Sequence, residues 1–280
     1  MAEGLLRGQK RSSVLEEIGN GFILNFASHG RFVHLPKVRI AAAQAPEIHK
    51  DIPRALEFLH STSERAKAKQ AHLLVFPEGF LQGYIVEEQQ AREVAIDLSS
   101  QRFLELLEKF PPSGPMLVVG MIELADEKLY NTAIVVKDQG LIGRYRKQHL
   151  LPREVAFTKG KDLPVFEVHG LRFCINICYD TNFPTLAEQV SRKGAELIVC
   201  CANNMLKHDT AEKYKWLHNS VRGQRCHESA LWLISSDVTG EREDYLALGP
   251  TAVLNPDGDV AEQLPLGQVG MLVFDLPYVK

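Results

Sequence analysis

LRFCINICYD, residues 171–180, is the stretch on which the fold turns. Its first eight residues are a short, mostly apolar run, which reads as a buried strand. A helix is expected from about Pro184, with Pro184 in the first turn and Asn182 as a candidate cap. Downstream, ELIVCCA (196–202) reads as a strand, 211–229 as a helix, and LWLISSD (231–237), TAVLN (251–255) and VGMLVFDL (269–276) as strands. Asn255-Pro256-Asp257-Gly258 is a turn.

Upstream the same alternation holds. VRIAAAQ (38–44) and HLLVFPE (72–78) are buried strands separated by a helix from Pro53 to Ala71. Residues 87–110 carry one or two helices, stopped by Pro111-Pro112. PMLVVGMIE (115–123) and YNTAIVVK (130–137) flank the polar turn ADEK and form a hairpin. Alternating strands and helices together with hairpins point to an α/β fold with two mixed sheets and helices outside them. Residues 1–36, mixed in charge and weakly periodic, read as an N-terminal extension; residues 37–280 read as a single domain.

Composition narrows the function. The 280 residues are 45% hydrophobic and 24% charged, with a formal net charge of −3. That balance offers no footprint for nucleic acid or a membrane surface, and fits a small-molecule substrate. No apolar run approaches the roughly 18 residues of a membrane span, and no signal peptide is expected. Five cysteines, all in the second half, do not form a disulfide framework and suit a reducing compartment, the cytoplasm. Their spacing matches no common zinc pattern, so no metal is expected.

Three local features carry chemistry. In FPEGFLQGY (76–84), Glu78 directly follows an apolar strand, where a carboxylate among apolar groups gains a raised pKa and can act as a base. In GRYRKQHLLPRE (143–154), Lys147 lies in a basic run that otherwise reads as a solvated loop; the alternative is a fixed cation aimed at an oxyanion or thiolate, with Glu154 placed to orient it. In FCINICYD (173–180), Cys178 closes a strand just ahead of a helix, whose dipole is expected to lower the thiol pKa. The N–H of Tyr179 is a candidate oxyanion donor, and Asn203 is counted with it as a substrate-binding position. Cys174, Cys200, Cys201 and Cys226 sit inside strand or helix patterns and suit inert buried thiols.

Together these motifs resemble the nitrilase (carbon-nitrogen hydrolase) superfamily, whose hallmark is an ordered Glu, Lys, Cys triad. FPEGF matches its glutamate motif, YRKQHL its lysine motif and ICYD its cysteine motif. Glu154 matches a second glutamate found in many members. YNTA (130–133), Arg225 with Glu228, and GPTAVLNPDG (249–258) match outside the triad, so the resemblance spans about residues 38–276. It departs at TNFPT (181–185), which puts the substrate in doubt and not the chemistry.

The resemblance implies a four-layer α-β-β-α sandwich and an amidase acting through a Cys178 thioester, with Glu78 as base and Lys147 as oxyanion partner. Tyr179-Asp180 is closer to amidases and carbamoylases than to true nitrilases, which ranks an amide first, an N-carbamoyl compound second and a nitrile third. It also implies a homodimer or larger homo-oligomer, with helices near 183–193 and 211–229 as candidate contacts. Arg153 and His208 are candidates for binding a substrate carboxylate. The rival class is a relative that binds a metabolite or partner without turnover.

Overall fold

Each strand sends alternate side chains to opposite faces, and that alternation sets the layering in this computed structural model, which describes residues 37–277. The expected extension at 1–36 lies outside the described residues.

The first half runs β1 (Lys37–Pro46), α1 (Ile52–Ala68), β2 (Leu73–Val75), α2 (Glu88–Val94), α3 (Gln101–Leu107), β3 (Met116–Ala125), β4 (Lys128–Lys137) and β5 (Gly140–Arg146). Capping side chains fix the helix starts: Asp51 accepts from the Arg54 N–H, Glu87 from Gln89 and Gln90, and Ser100 from Phe103. The β3–β4 hairpin turns on Asp126 and Glu127, both left-handed (φ 46° and 61°). Two such residues in succession match the strand twist of a type I′ turn. Asp138 and Gln139 repeat the device (φ 47° and 62°) and generate β5. The basic segment before Lys147 is therefore a strand, not the loop its charge suggested.

The second half runs β6 (Phe166–Val168), β7 (Leu171–Ile177), a 3₁₀ turn (Cys178–Asn182), α4 (Pro184–Arg192), β8 (Leu197–Cys201), β9 (Leu206–Lys207), α5 (His208–Tyr214), α6 (Leu217–Ser229), β10 (Trp232–Arg242), β11 (Tyr245–Leu248), β12 (Ala252–Leu254), β13 (Val260–Gln263) and β14 (Gly270–Pro277). Two expectations are corrected. The cap of α4 is Phe183, without a side-chain hydrogen bond, and Asn182 instead donates to the Tyr179 carbonyl. The single helix expected over 211–229 is two, parted at Lys215–Trp216.

The strands order as β5-β4-β3-β2-β1-β10-β8-β7-β6, with β14 antiparallel against β1 and β12 against β10. Strands β3, β2, β1, β10, β8 and β7 are mutually parallel, so their C-terminal ends share one edge. Three apolar clusters separate the layers. Ile40, Ala42, Val75 and Val118 from one half meet Phe173, Ile175, Val199 and Cys201 from the other, forming a sheet-on-sheet core. The intervening residues Ala41, Ala43, Leu74 and Val119 pack under Leu59 and Ala66 of α1 and Phe103 of α3. Cys174, Ile198 and Cys200 pack under Val190 of α4 and Cys226 of α6. The result is the α-β-β-α sandwich that the resemblance implied.

Candidate active site

Glu78 stands three residues beyond β2, on a loop that crosses Gly120 of β3. A Cβ at Gly120 would lie 2.1 Å from the Pro77 carbonyl oxygen and 2.8 Å from the Glu78 Cα. Only glycine lets the glutamate loop settle on the sheet. Lys147 directly follows β5; its N–H donates to the Asn131 carbonyl, and its own carbonyl accepts from Gly160. The side chain is fully buried, and its Nζ lies 2.7 Å from Glu78 Oε1 and 2.8 Å from Glu154 Oε1. Asn131 Nδ2 donates to both carboxylates, at 2.7 and 3.1 Å, and the Tyr84 hydroxyl donates to Glu154 at 3.0 Å. Glu154 Oε2 takes the Leu151 N–H.

Burial pushes the Glu78 carboxyl above the ordinary range; Lys147 opposes that rise and the charge of Glu154 adds to it. Burial on its own would lower Lys147, but the Glu78 and Glu154 carboxylates outweigh it and hold the ammonium charged. The cluster thus contains a permanent cation and a carboxyl that takes up a proton readily, the two attributes a base–electrophile pair needs.

Cys178 opens the turn after β7, half-buried, with φ +44°. A non-glycine residue in the left-handed region is strained by about 1–3 kcal/mol and persists only where its surroundings fix it. Asp180 does so. Its carboxylate accepts from the Ile177 N–H (3.0 Å), the Tyr145 hydroxyl (2.8 Å) and the Gln148 and His149 N–H groups (3.3 and 2.8 Å). The His149 ring stacks on Phe183 at 3.6 Å. The lysine segment and the cysteine turn are thereby clamped together.

The expected low thiol pKa is not what this turn produces. Burial raises the Cys178 pKa, and the Glu78 charge raises it further; Lys147 opposes both. A short 3₁₀ turn provides too little dipole to compensate. The thiol rests protonated and requires a base.

Cys178 opens onto a cavity of about 380 Å³, also lined by Tyr179, Arg153, Asn203 and Asn204 and walled by Leu151, Leu206, Leu217 and Val221. Asn203 Oδ1 accepts from the Met205 N–H. Asn204 Oδ1 lies 3.9 Å from Cys178 Sγ, while its backbone N–H and its amide group donate to Asp237. Arg222 pairs with Asp237 at 3.2 Å. His208 begins α5 and is not among the lining residues.

The structure brings Glu78, Lys147 and Glu154 into one hydrogen-bonded group and sets Cys178, Tyr179 and Asn203 around the cavity. Sequence reasoning missed Asn131 and Tyr84, although both stood in quoted motifs, YNTA and FPEGFLQGY. It also missed the Asn204–Asp237–Arg222 chain, for which no local signal exists. Arg225 and Glu228 pair at 3.0 Å on α6, away from the cavity lining.

Two stacked mixed sheets between helices, with Glu78, Lys147 and Cys178 at strand ends, match the arrangement that the resemblance to carbon-nitrogen hydrolases implied. The carbon-nitrogen hydrolase family model matches residues 39–279, and the chain belongs to that family. An (R)-stereoselective amidase from Pseudomonas sp. is 28% identical over 76% of this chain and 76% of its own length. Omega-amidase NIT3 from Saccharomyces cerevisiae is 28% identical over 83% and 84%. The crystal structure of an amidase from Nesterenkonia sp. superposes with a TM-score of 0.73 at 25% identity, covering 89% of this chain and 94% of that one. A glutamine-dependent NAD+ synthetase from Acinetobacter baumannii shares the fold at 21% identity and a TM-score of 0.74; this chain spans 45% of it. Among the described residues no helix is long and apolar enough to cross a membrane.

Proposed function

We propose that this chain hydrolyses the amide C–N bond of a small substrate through a thioester on Cys178. The observation that carries the reading is the Lys147 ammonium held between Glu78 and Glu154, at 2.7 and 2.8 Å, with Glu78 and Lys147 both close enough to Cys178 for their charges to act on its thiol.

Glu78 takes the thiol proton as sulfur attacks the carbonyl carbon, forming the C–S bond and moving the C=O π pair onto oxygen. Lys147 and the Tyr179 N–H stabilise that oxyanion. The oxygen lone pair re-forms the carbonyl, the C–N bond breaks, and Glu78 returns the proton to the departing nitrogen. A water then gives a proton to Glu78 and attacks the thioester. Collapse of that second intermediate breaks the C–S bond, and the thiol is restored by the proton on Glu78. Burial supports both roles of Glu78, since its raised pKa suits a group that accepts and then donates. Glu154 fixes Lys147 and stays outside the proton path. The scheme uses no cofactor. Five free thiols suit a reducing compartment such as the cytoplasm, and a homodimer or larger assembly through α4 and α6 remains part of the proposal.

The test is to mix the protein with a primary amide, quench in acid within one turnover and weigh the peptide that contains Cys178. The expected result is that peptide plus the acyl group. Turnover with no acyl adduct on Cys178 at any time would sink the thioester scheme. An N-carbamoyl substrate would leave a carbamoyl adduct and a nitrile a thioimidate, so the added mass also ranks those alternatives.

A further inference from the structure

We propose that the cavity takes an amide whose far end carries a carboxylate, and that Arg153 is the residue that holds it; the substrate class thus named rests on the amide reading above.

Among the described residues no aspartate or glutamate lines the cavity. Of the basic side chains that do, Arg222 is neutralised by Asp237 at 3.2 Å, and its NH1 is spent on Asn219, Ser235 and the Pro250 carbonyl. Burial, with Arg222 beside it, pushes His218 down to about 3, so that imidazole is neutral. The remaining charge is Arg153.

Arg153 has no carboxylate partner among the described residues. Its Nε donates to the Tyr84 hydroxyl at 3.4 Å, and its guanidinium carbon sits 5.2 Å from the centre of the Tyr84 ring. Tyr84 is itself fixed, because its hydroxyl donates to Glu154 at 3.0 Å. One edge of the guanidinium is tethered this way, while NH1 and NH2 bond to no described residue. Two parallel N–H donors on a held plane match the two oxygens of a carboxylate, a geometry lysine cannot offer. The apolar walls, Leu151, Leu206, Leu217 and Val221, suit a short methylene chain between that carboxylate and the scissile amide. The cavity, at about 380 Å³, lies near the small end of ligand pockets, about 300–1,000 Å³.

The test compares ammonia release from glutaramic acid, the monoamide of glutaric acid, with release from 5-methylhexanamide, which has the same shape and no charge. The native protein should prefer the charged amide in kcat/KM by about tenfold to a hundredfold, as one charge-assisted fork would give. In Arg153→Gln that ratio should fall to near one, mainly through KM; Arg153→Lys should keep part of it. Glutarate binding to the native protein, measured by calorimetry, should be lost in Arg153→Gln. If neither amide releases ammonia, the amide reading falls and the glutarate arm alone decides the anion site. Equal rates for the two amides, or glutarate binding that Arg153→Gln leaves intact, overturns the proposal.

Discussion

The Tyr145 hydroxyl donates to Asp180 at 2.8 Å, and both side chains are fully buried. Tyr145 lies two residues before Lys147 and Asp180 two residues after Cys178, so this bond ties the strand that delivers the cation to the turn that delivers the nucleophile. Tyr145→Phe removes one hydrogen bond to a carboxylate and should cost about 2 kcal/mol. Asp180→Ala strips partners from three backbone N–H groups and the tyrosine, and should cost more than about 3 kcal/mol with loss of turnover. Urea melts and kcat on the same samples check this; a fully active Asp180→Ala protein of native stability would refute the clamp.

Gly120→Ala should be severely damaging although it adds one methyl group. That methyl would meet the Pro77 carbonyl oxygen at 2.1 Å, so the Glu78 loop must lift off β3. The expected outcome is a fall in kcat that exceeds the effect of alanine at an ordinary buried strand glycine, read against thermal melting.

Lys147→Ala should cut kcat/KM by about a hundredfold or more, the usual effect of losing one oxyanion donor. It should also destabilise the protein by about 3–5 kcal/mol, because two buried carboxylates lose their counter-ion. Activity within tenfold of native would remove Lys147 from the chemistry.

The pH behaviour follows from burial. Glu78 acts as a base only when ionised, and its pKa is raised, so kcat/KM should fall with decreasing pH at an inflection above the ordinary glutamate value of about 4.3. The Glu78 charge also raises the Cys178 pKa. Glu78→Gln should therefore shift iodoacetamide alkylation of Cys178 to lower pH while amide turnover drops by about a hundredfold or more. An alkylation profile that moves to higher pH would reverse the assigned electrostatics.

Much of this was legible because the decisive strands are mostly apolar. LLVF (73–76) and FCINI (173–177) are buried on both faces, so their C-terminal ends pointed to Glu78 and Cys178. GLIGRYR (140–146) was not, because six of its seven residues are exposed or half-exposed and only Tyr145 is buried. An edge strand with one buried residue has no period-2 apolar signal. The break at Trp216 was hidden because Tyr214, Trp216 and Leu217 keep an apolar stretch running across it while being exposed. The Asn204–Asp237–Arg222 chain joins three elements distant in sequence, and distances of that kind leave no local trace. The thiol pKa was not legible, because the burial that opposes the dipole of the turn arises only in the packed fold.

The most direct test of the central claim is ammonia release from a panel of amides, N-carbamoyl amino acids and nitriles, with native protein and Cys178→Ala run side by side. The account predicts release from the amides by the native protein and none from a Cys178→Ala protein that melts as the native one does. Ammonia released by that folded Cys178→Ala protein would contradict it.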